Sequence, residues 1–284
     1  MADCARSPNK KAASMPQALT AIPLSAPVRD EPFDLIETIF GSLAAADMTL
    51  KDGDVLAVSS KYAAIAAGRI FSLDDIRPSV RAEQLAGRYN MDTAIAQLVI
   101  DEADHIFGGI ELGFLLTEKG GVISPNAGLD RSNIPSGKAV LLPRDPFRTA
   151  ETIRRALQTQ LGCRIGLILT DSWLMPGRYG TTGIAIAIAG FQPIRDERGK
   201  QDLFGNPMAV TQIGLADALA ACAQIVMGER AEATPFALIR GAKLDLTDAP
   251  ISSADVSIPW RHCIYVESLT LGLLLADEPG KVTV

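Results

Sequence analysis

Histidine is almost missing from these 284 residues: His105 and His262 are the only two. Neither falls in a spacing that holds zinc or activates a hydroxyl, so both are expected to be structural or surface residues. Cysteine is nearly as scarce. Cys4, Cys163, Cys222 and Cys263 lie far apart with no C-x-x-C pair, which removes zinc knuckles and dithiol redox motifs and leaves reduced, packing thiols. Positive charge is also short: Lys and Arg number 27 against 33 Asp and Glu, a net charge of −6, so no basic stripe for a nucleic-acid backbone is expected. The longest apolar runs, Gly183 to Phe191 and Leu269 to Ala276, reach about half of the ~20 residues that span a bilayer. No membrane segment follows from them. The patterns G-x-x-x-x-G-K-[ST], G-x-G-x-x-G after a strand, and G-x-S-x-G are all absent, so the common nucleotide and hydrolase signatures give no lead.

What remains is the make-up of an ordinary packed globule, with 48% hydrophobic and 21% charged residues. Residues 1–18 are rich in Ala, Ser, Lys and Pro, lack periodicity and lack an apolar run behind their basic residues. They are expected to be a disordered extension rather than a secretory signal, with the cytoplasm as the compartment. A single domain, built from two intimate subdomains at most, is expected over 19–284. Phe33, Leu35, Ile36, Ile39, Phe40 and Leu43 make one helical stripe, and Val55 to Val58 reads as a buried strand ending at Ser59-Ser60-Lys61. Helices are expected over Arg81–Gly87 and Asp92–Glu102, then glycine-punctuated strands from Gly108 to Pro143. Thr149 is placed to cap a helix that buries Ile153, Leu157 and Leu161 and stops at Gly162. Strands at Arg164–Thr170, Ile184–Ala189 and Phe236–Ile239 and a helix over Leu215–Met227 complete the reading. Helices and strands mix without regular βαβ repetition, so the fold class is α+β.

Three groups of residues can carry chemistry. Asp171 directly follows an apolar strand and so emerges at a sheet edge with Ser172 beside it, a pairing of carboxylate and hydroxyl that suits a hard divalent cation. A turn aspartate is the plainer alternative. Asp130 lies in Asn126-Ala127-Gly128-Leu129-Asp130-Arg131-Ser132-Asn133, a segment without an apolar face that serves either a site or a surface turn. Pro176 to Gly183 holds three glycines and Arg178, so free backbone N–H groups and a guanidinium can meet an anion there, unless the segment is a simple hairpin connection. Glu229 ends the helix at Met227-Gly228-Glu229, where the helix dipole does not favour a carboxylate. A nearby cation would rationalise it, and a solvated helix end is the simpler account.

Taken together, Ser59-Ser60-Lys61 with Gly68-Arg69, Asn126 to Asn133, Leu141-Leu142-Pro143 with Asp145-Pro146, Thr170-Asp171-Ser172, Asp202 to Gly205, and Ala216-Asp217 with Met227-Gly228-Glu229 resemble the coenzyme F420 γ-glutamyl ligase family. The likeness runs from about Ile22 to Arg240. It implies an unusual α+β fold, an intertwined homodimer, and formation of a γ-glutamyl amide from a small-molecule carboxylate acceptor and L-glutamate. The implied cofactors are GTP, with ATP as the alternative, Mg²⁺ or Mn²⁺, and a monovalent cation such as K⁺. By position, Asp130, Asp171, Ser172 and Glu229 become the metal-site residues. Ile22, Pro23, Leu24, Ser25, Ser59, Ser60, Lys61, Asn133, Met227 and Gly228 become the nucleotide contacts, and Arg178 joins Asp130 and Asp171 in catalysis. The chemistry is coherent, because a carboxylate must be phosphorylated before an amine can displace an oxygen from it.

Two departures from the family pattern stand out. Ile65 occupies the place of a second lysine, and Leu174-Met175 replaces a Gly-Arg pair. These losses of charge keep two other readings open: a ligase for a folate-like or other carboxylated acceptor, and a ligand-binding relative without turnover.

Overall fold

The computed structural model describes residues 18–269. The amino-terminal extension through residue 17, with Cys4, and the apolar stretch beyond Leu269 lie outside the described residues. In chain order the elements are β1 (Thr20–Leu24), α1 (Leu35–Ala45), β2 (Val55–Ser59), α2 (Ser60–Ala66), β3 (Ile70–Ser72), α3 (Val80–Tyr89), α4 (Thr93–Glu102), β4 (His105–Ile110), β5 (Phe114–Lys119) and β6 (Val122–Pro125). They continue with β7 (Lys138–Val140), α5 (Pro146–Leu161), β8 (Gly166–Leu174), β9 (Thr181–Ala189), β10 (Ile194–Asp196), β11 (Gln212–Gly214), α6 (Leu215–Met227) and β12 (Phe236–Arg240).

A five-stranded sheet in the order β1-β12-β2-β8-β9 organises the molecule. Its only parallel pair is β2 with β8; the other neighbours are antiparallel. Val55 to Val58 and Leu167 to Leu169 are fully buried because helices cover both faces. On one face, Leu56, Val58, Leu167 and Leu169 pack against Ile39 and Leu43 of α1 and Ile153 and Leu157 of α5. On the other, Ile168, Ile188 and Ile239 pack against Ala216, Leu219, Ala220 and Ala223 of α6. The Ile-Ala alternation of β9 acquires its meaning here: Ala187 and Ala189 face the α5 side, while Ile188 meets the alanines of α6. Gly183 completes the fit, since a Cβ there would stand 2.4 Å from the Ala220 carbonyl oxygen. Smaller sheets, β3-β7 and β4-β5-β6, carry clusters that join α3 and α4 to Leu115, Ala139 and Leu141.

The α+β class is therefore the observed one, and three local expectations are corrected. Helix α5 begins at Pro146 with Asp145 as its cap: the Asp145 carboxylate accepts from the Arg148 N–H, and the Thr149 hydroxyl instead donates back to the Asp145 carbonyl at 2.8 Å. Proline at the first helical position has no N–H to leave unpaired, so the extra turn costs nothing there. At the other end of α5, Leu161 is exposed rather than buried. Strand β8 does not stop at Thr170. It runs on to Leu174, because residues 170–174 pair with 181–185 of β9 past a register shift at Leu169/Thr170. The glycine-containing 175–180 segment is the connection of that hairpin.

Candidate active site

The parallel register of β2 and β8 sets Ser59 beside Thr170. The next residue on each chain is then Ser60, the first residue of α2, and Asp171. Ser60 is fully buried, and its hydroxyl donates to Asp171 Oδ2 at 2.7 Å. The Ser172 N–H donates to Oδ1 at 2.8 Å. The Asp171 residue keeps some surface, yet its carboxylate is desolvated. Burial therefore raises its pKa to about 6; the two hydrogen bonds offset part of this, and the negative charge of Asp130 adds to it.

Asp130 arrives from a different part of the chain. Its backbone forms an isolated antiparallel bridge with Val140, with N–H to carbonyl distances of 2.9 Å both ways. Its side chain accepts from the Ser132 N–H at 2.7 Å and lies 2.6 Å from Lys61 Nζ. Lys61 also donates to the Ser132 carbonyl and hydroxyl oxygens, each at 2.9 Å. Burial pushes the Asp130 carboxyl upward, but the Lys61 ammonium and the Ser132 hydrogen bonds outweigh it and hold the group below the usual carboxylate range. Two adjacent carboxylates thus differ sharply: one is neutralised by a lysine, and the other resists ionisation.

Both carboxylates line one cavity of about 590 Å³. Of the other residues singled out in the sequence, Ser59, Lys61, Asn133 and Ser172 line it too, as do Met227, Gly228 and Glu229 from the end of α6. Asn133 sits in the left-handed region at φ 53° and donates from Nδ2 to the Arg230 carbonyl at 2.7 Å, tying two walls together. Glu229 accepts from the Gln224 amide, a local partner for a carboxylate at a helix C-terminus. Ser60 is not on the wall; its hydroxyl is used behind Asp171. Ile22 to Ser25 also lie off the wall: Leu24 is fully buried in the core, and the lining begins with the loop that follows, Ala26 to Asp30. Arg178 is exposed on the β8–β9 connection, away from the cavity lining. Ile65 touches the cavity but is 3% exposed, packed with Ala64 and Val140.

Sequence reasoning missed Arg29, Tyr62 and Arg230, which line the same space. The Tyr62 hydroxyl donates to the Pro27 carbonyl at 2.6 Å, and its ring meets Phe33 and Phe236, so it braces the 26–30 loop. Only adjacency to the quoted strings at Lys61 and Glu229 could have flagged Tyr62 and Arg230. Nothing in the pattern marks Arg29.

The ligand atoms that the side chains of Asp130, Asp171, Ser132 and Ser172 offer are oxygens, the type a hard cation prefers, and the Lys61 ammonium stands on Asp130 beside them. Among the described residues no group of three or more His, Cys, Asp and Glu side chains forms a closed metal cage. Two carboxylates with open positions is the pattern for a cation that is also shared with phosphate oxygens and water, so the residues present fit such an ion. Among the described residues no helix is long and apolar enough to cross a membrane.

The chain is also similar in sequence to known proteins. The chain is 39% identical over 207 residues to the coenzyme F420:L-glutamate ligase of Methanopyrus kandleri, covering 72% of this chain and 81% of that protein. It is 36% identical over 211 residues to the enzyme of the same name from Methanothermobacter thermautotrophicus, covering 73% and 82% of the two chains. The corresponding protein of Archaeoglobus fulgidus is 36% identical over 216 residues, covering 76% and 84%. The F420-0:gamma-glutamyl ligase family model matches residues 23–241. That span holds the cavity, both carboxylates and all five strands of the central sheet apart from the first residues of β1, and the chain belongs to the F420-0:gamma-glutamyl ligase family.

Proposed function

We propose that the protein joins L-glutamate to a carboxylate acceptor of the coenzyme F420 class through a γ-glutamyl amide bond, driven by GTP or ATP in the presence of Mg²⁺ or Mn²⁺, with a monovalent cation such as K⁺ assisting. The observation that carries the reading is the meeting of Asp130 and Asp171, 41 positions apart in sequence, on one cavity wall with Ser60 and Lys61 fixing their orientation.

In this reading a carboxylate oxygen of the acceptor attacks the terminal phosphorus of the nucleotide, the bond to the diphosphate breaks, and an acyl phosphate forms. The glutamate amine then attacks the acyl carbon, phosphate leaves, and the amine proton is released. Asp130 and Asp171 would hold a divalent ion, with Ser172 and Glu229 as further candidate ligands, and such an ion would neutralise charge on the phosphoryl group. The chain's own residues orient and compensate. Ser60 holds Asp171 by a hydrogen bond from a fully buried hydroxyl, and Lys61 sets Asp130 against Ser132. Arg29, Lys61 and Arg230 bring positive charge from three separate segments to a cavity that otherwise gathers acids, which suits a polyanionic nucleotide. No nucleophilic side chain is required, since the work is positioning and electrostatics.

A homodimer belongs to the same reading. Leu203 and Phe204, 100% and 90% exposed on the loop between β10 and β11, form an apolar tip that a second copy would cover. The deciding experiment for the activity measures nucleoside diphosphate and γ-glutamyl product when acceptor, glutamate, nucleotide and metal are supplied together and then omitted one at a time. Release that needs all four supports the proposal; no product under conditions where an archaeal relative is active refutes it.

A further inference from the structure

Consecutive residues at the start of α2 hold the two carboxylates of the cavity, and they hold them differently. Ser60 binds Asp171 through a neutral hydroxyl on a short, fully buried side chain. Lys61 binds Asp130 with a full charge on a long, flexible stem whose side chain is 20% exposed. Its ammonium is fully committed. It lies 2.6 Å from Asp130 Oδ2 and donates to the Ser132 carbonyl and hydroxyl oxygens, so three partners use all three N–H donors. Asp130 is engaged as closely: Oδ1 accepts from the Ser132 N–H at 2.7 Å, and Oδ2 accepts from the Ser132 hydroxyl at 3.1 Å beside the ammonium. A second cation cannot share Oδ2 with the ammonium without strong charge repulsion. Nor can Lys61 donate to a phosphate without giving up a partner. No other lysine relieves the conflict, for Lys61 is the only lysine among the described residues that line the cavity, and Ile65, one turn on, is apolar.

We propose that Lys61 is a displaceable counter-ion: its ammonium occupies Asp130 in place of a divalent cation and moves off when nucleotide phosphates offer it other oxygens, so that cation and nucleotide favour each other's binding. The inference rests on the metal- and nucleotide-dependent reading above for its purpose, but its test needs no turnover. A free cation competes with a tethered charge for Asp130, and the cavity takes it up weakly. Polyphosphate removes the competitor, and by linkage the cation strengthens nucleotide binding to the same extent. Arg29 and Arg230 cannot act this way, because among the described residues neither pairs with Asp130 or Asp171: Arg29 lies over the Phe33 ring, and Arg230 pairs with Glu232. The contrary account is a permanent brace, in which Lys61 keeps Asp130 in shape for the cation and its loss weakens cation binding. The two accounts differ in sign.

The test titrates Mn²⁺ into the full chain at pH 8, first alone and then with GDP, reading free Mn²⁺ by electron paramagnetic resonance and correcting for Mn²⁺ held by unbound GDP. Lys61→Met should bind Mn²⁺ at least tenfold more tightly than wild type without GDP, and GDP should tighten Mn²⁺ binding at least tenfold more in wild type than in the variant. Arg230→Met removes the same charge from the same cavity without touching either carboxylate, and should change Mn²⁺ affinity less than threefold. A second measurement needs no substitution. Acetylation of Lys61 in wild type, followed by mass spectrometry against the exposed Lys51, should rise at least fivefold with saturating Mn²⁺ alone and fall again with GDP. Mn²⁺ binding that is weaker or unchanged in Lys61→Met, equally strengthened in Arg230→Met, or absent from wild type and variant alike overturns the proposal, as does acetylation of Lys61 indifferent to Mn²⁺. If glutamylation is observed while Lys61→Met binds Mn²⁺ no more tightly than wild type, the counter-ion role fails and the ligase reading stands. Tighter Mn²⁺ binding by Lys61→Met with no glutamylation of any acceptor leaves the counter-ion role standing and removes the ligase reading.

Discussion

Replacing Asp171 by asparagine should stabilise the metal-free protein at neutral pH while abolishing its activity. In the folded chain the Asp171 carboxyl is raised from its ordinary 3.8 to about 6, mainly by burial. Below pH 3.8 folded and unfolded chains both carry the neutral acid, and the group contributes no pH dependence. Between 3.8 and 6 the unfolded chain ionises while the folded chain retains its proton, so unfolding releases a proton and stability falls as pH rises. Above 6 the loss is complete. A shift of roughly 2 units corresponds to about 3 kcal/mol, and partial contact with solvent reduces that to about 2 kcal/mol. Asparagine removes the charge but keeps the hydrogen bonds: its oxygen accepts from the Ser172 N–H, and the Ser60 hydroxyl rotates to accept from its amide. Urea denaturation in chelator at pH 4 and pH 7 checks the account. The wild-type protein should lose about 2 kcal/mol more than Asp171→Asn across that interval, and at pH 7 the variant should be the more stable, with glutamate-dependent nucleotide turnover reduced at least a hundredfold. A variant that is less stable at pH 7, or that loses stability with pH in parallel with wild type, refutes the claim that a desolvated carboxylate is held there for function.

Lys61→Met leaves Asp130 with burial as the dominant influence. Its carboxyl should move above the ordinary range, measurable by carboxyl NMR titration, with turnover falling at least tenfold and a stability cost of about 1 kcal/mol, since the pair is partly exposed. Gly183→Ala places a methyl group 2.4 Å from the Ala220 carbonyl oxygen, so α6 must shift off β9 and thermal denaturation should report a loss of about 2 kcal/mol. Arg240→Met leaves the Asp54 carboxylate, whose side chain is 2% exposed and which Arg240 holds at 2.7 and 2.9 Å, with the Lys51 N–H but no countercharge; chemical denaturation should register about 3 kcal/mol of destabilisation. Ser42→Ala removes a buried hydroxyl that has no hydrogen-bond partner among the described residues, inside helix α1, and should be neutral or stabilising by about 0.5–1 kcal/mol in the same assay.

Elements whose apolar residues are consecutive or helically spaced were legible in the sequence. The strands around Val55–Val58, Leu167–Leu169 and Phe236–Ile239 are buried on both faces, and burial on both faces writes itself as an uninterrupted apolar run. The polar second half of β8 was not legible, because residues 170–174 owe their strand geometry to pairing across a hairpin and not to their own composition. The start of α5 was misplaced by one turn for a related reason. Asp145 and Thr149 are both competent caps, and the choice between them is made by Pro146, which suits the first helical position and lets the helix begin earlier. Short pairs such as β3–β7 and β10–β11 carry three residues per strand, too few for a period to emerge.

The candidate site divides along the same line. Residue type alone made Asp130 and Asp171 equivalent candidates with turn-like alternatives. Their meeting depends on two long-range facts: the parallel placement of β2 on β8, which delivers Ser60 to Asp171, and the bridge of Asp130 to Val140, which delivers the second carboxylate. Neither has a local signature, since a parallel pair is joined through more than a hundred intervening residues. Arg178 marks the opposite error. A guanidinium among glycines is a fair anion site in isolation, yet the hairpin places it in solvent, outside the cavity lining. The positive charge at the cavity comes instead from Arg29 and Arg230 on loops and Lys61 at the start of α2, three residues that only the closed sheet brings together. The placing of positive charge on the cavity is thus set by topology, and in the proposed nucleotide reading the fold supplies other cations for those absent at Ile65 and at Leu174-Met175.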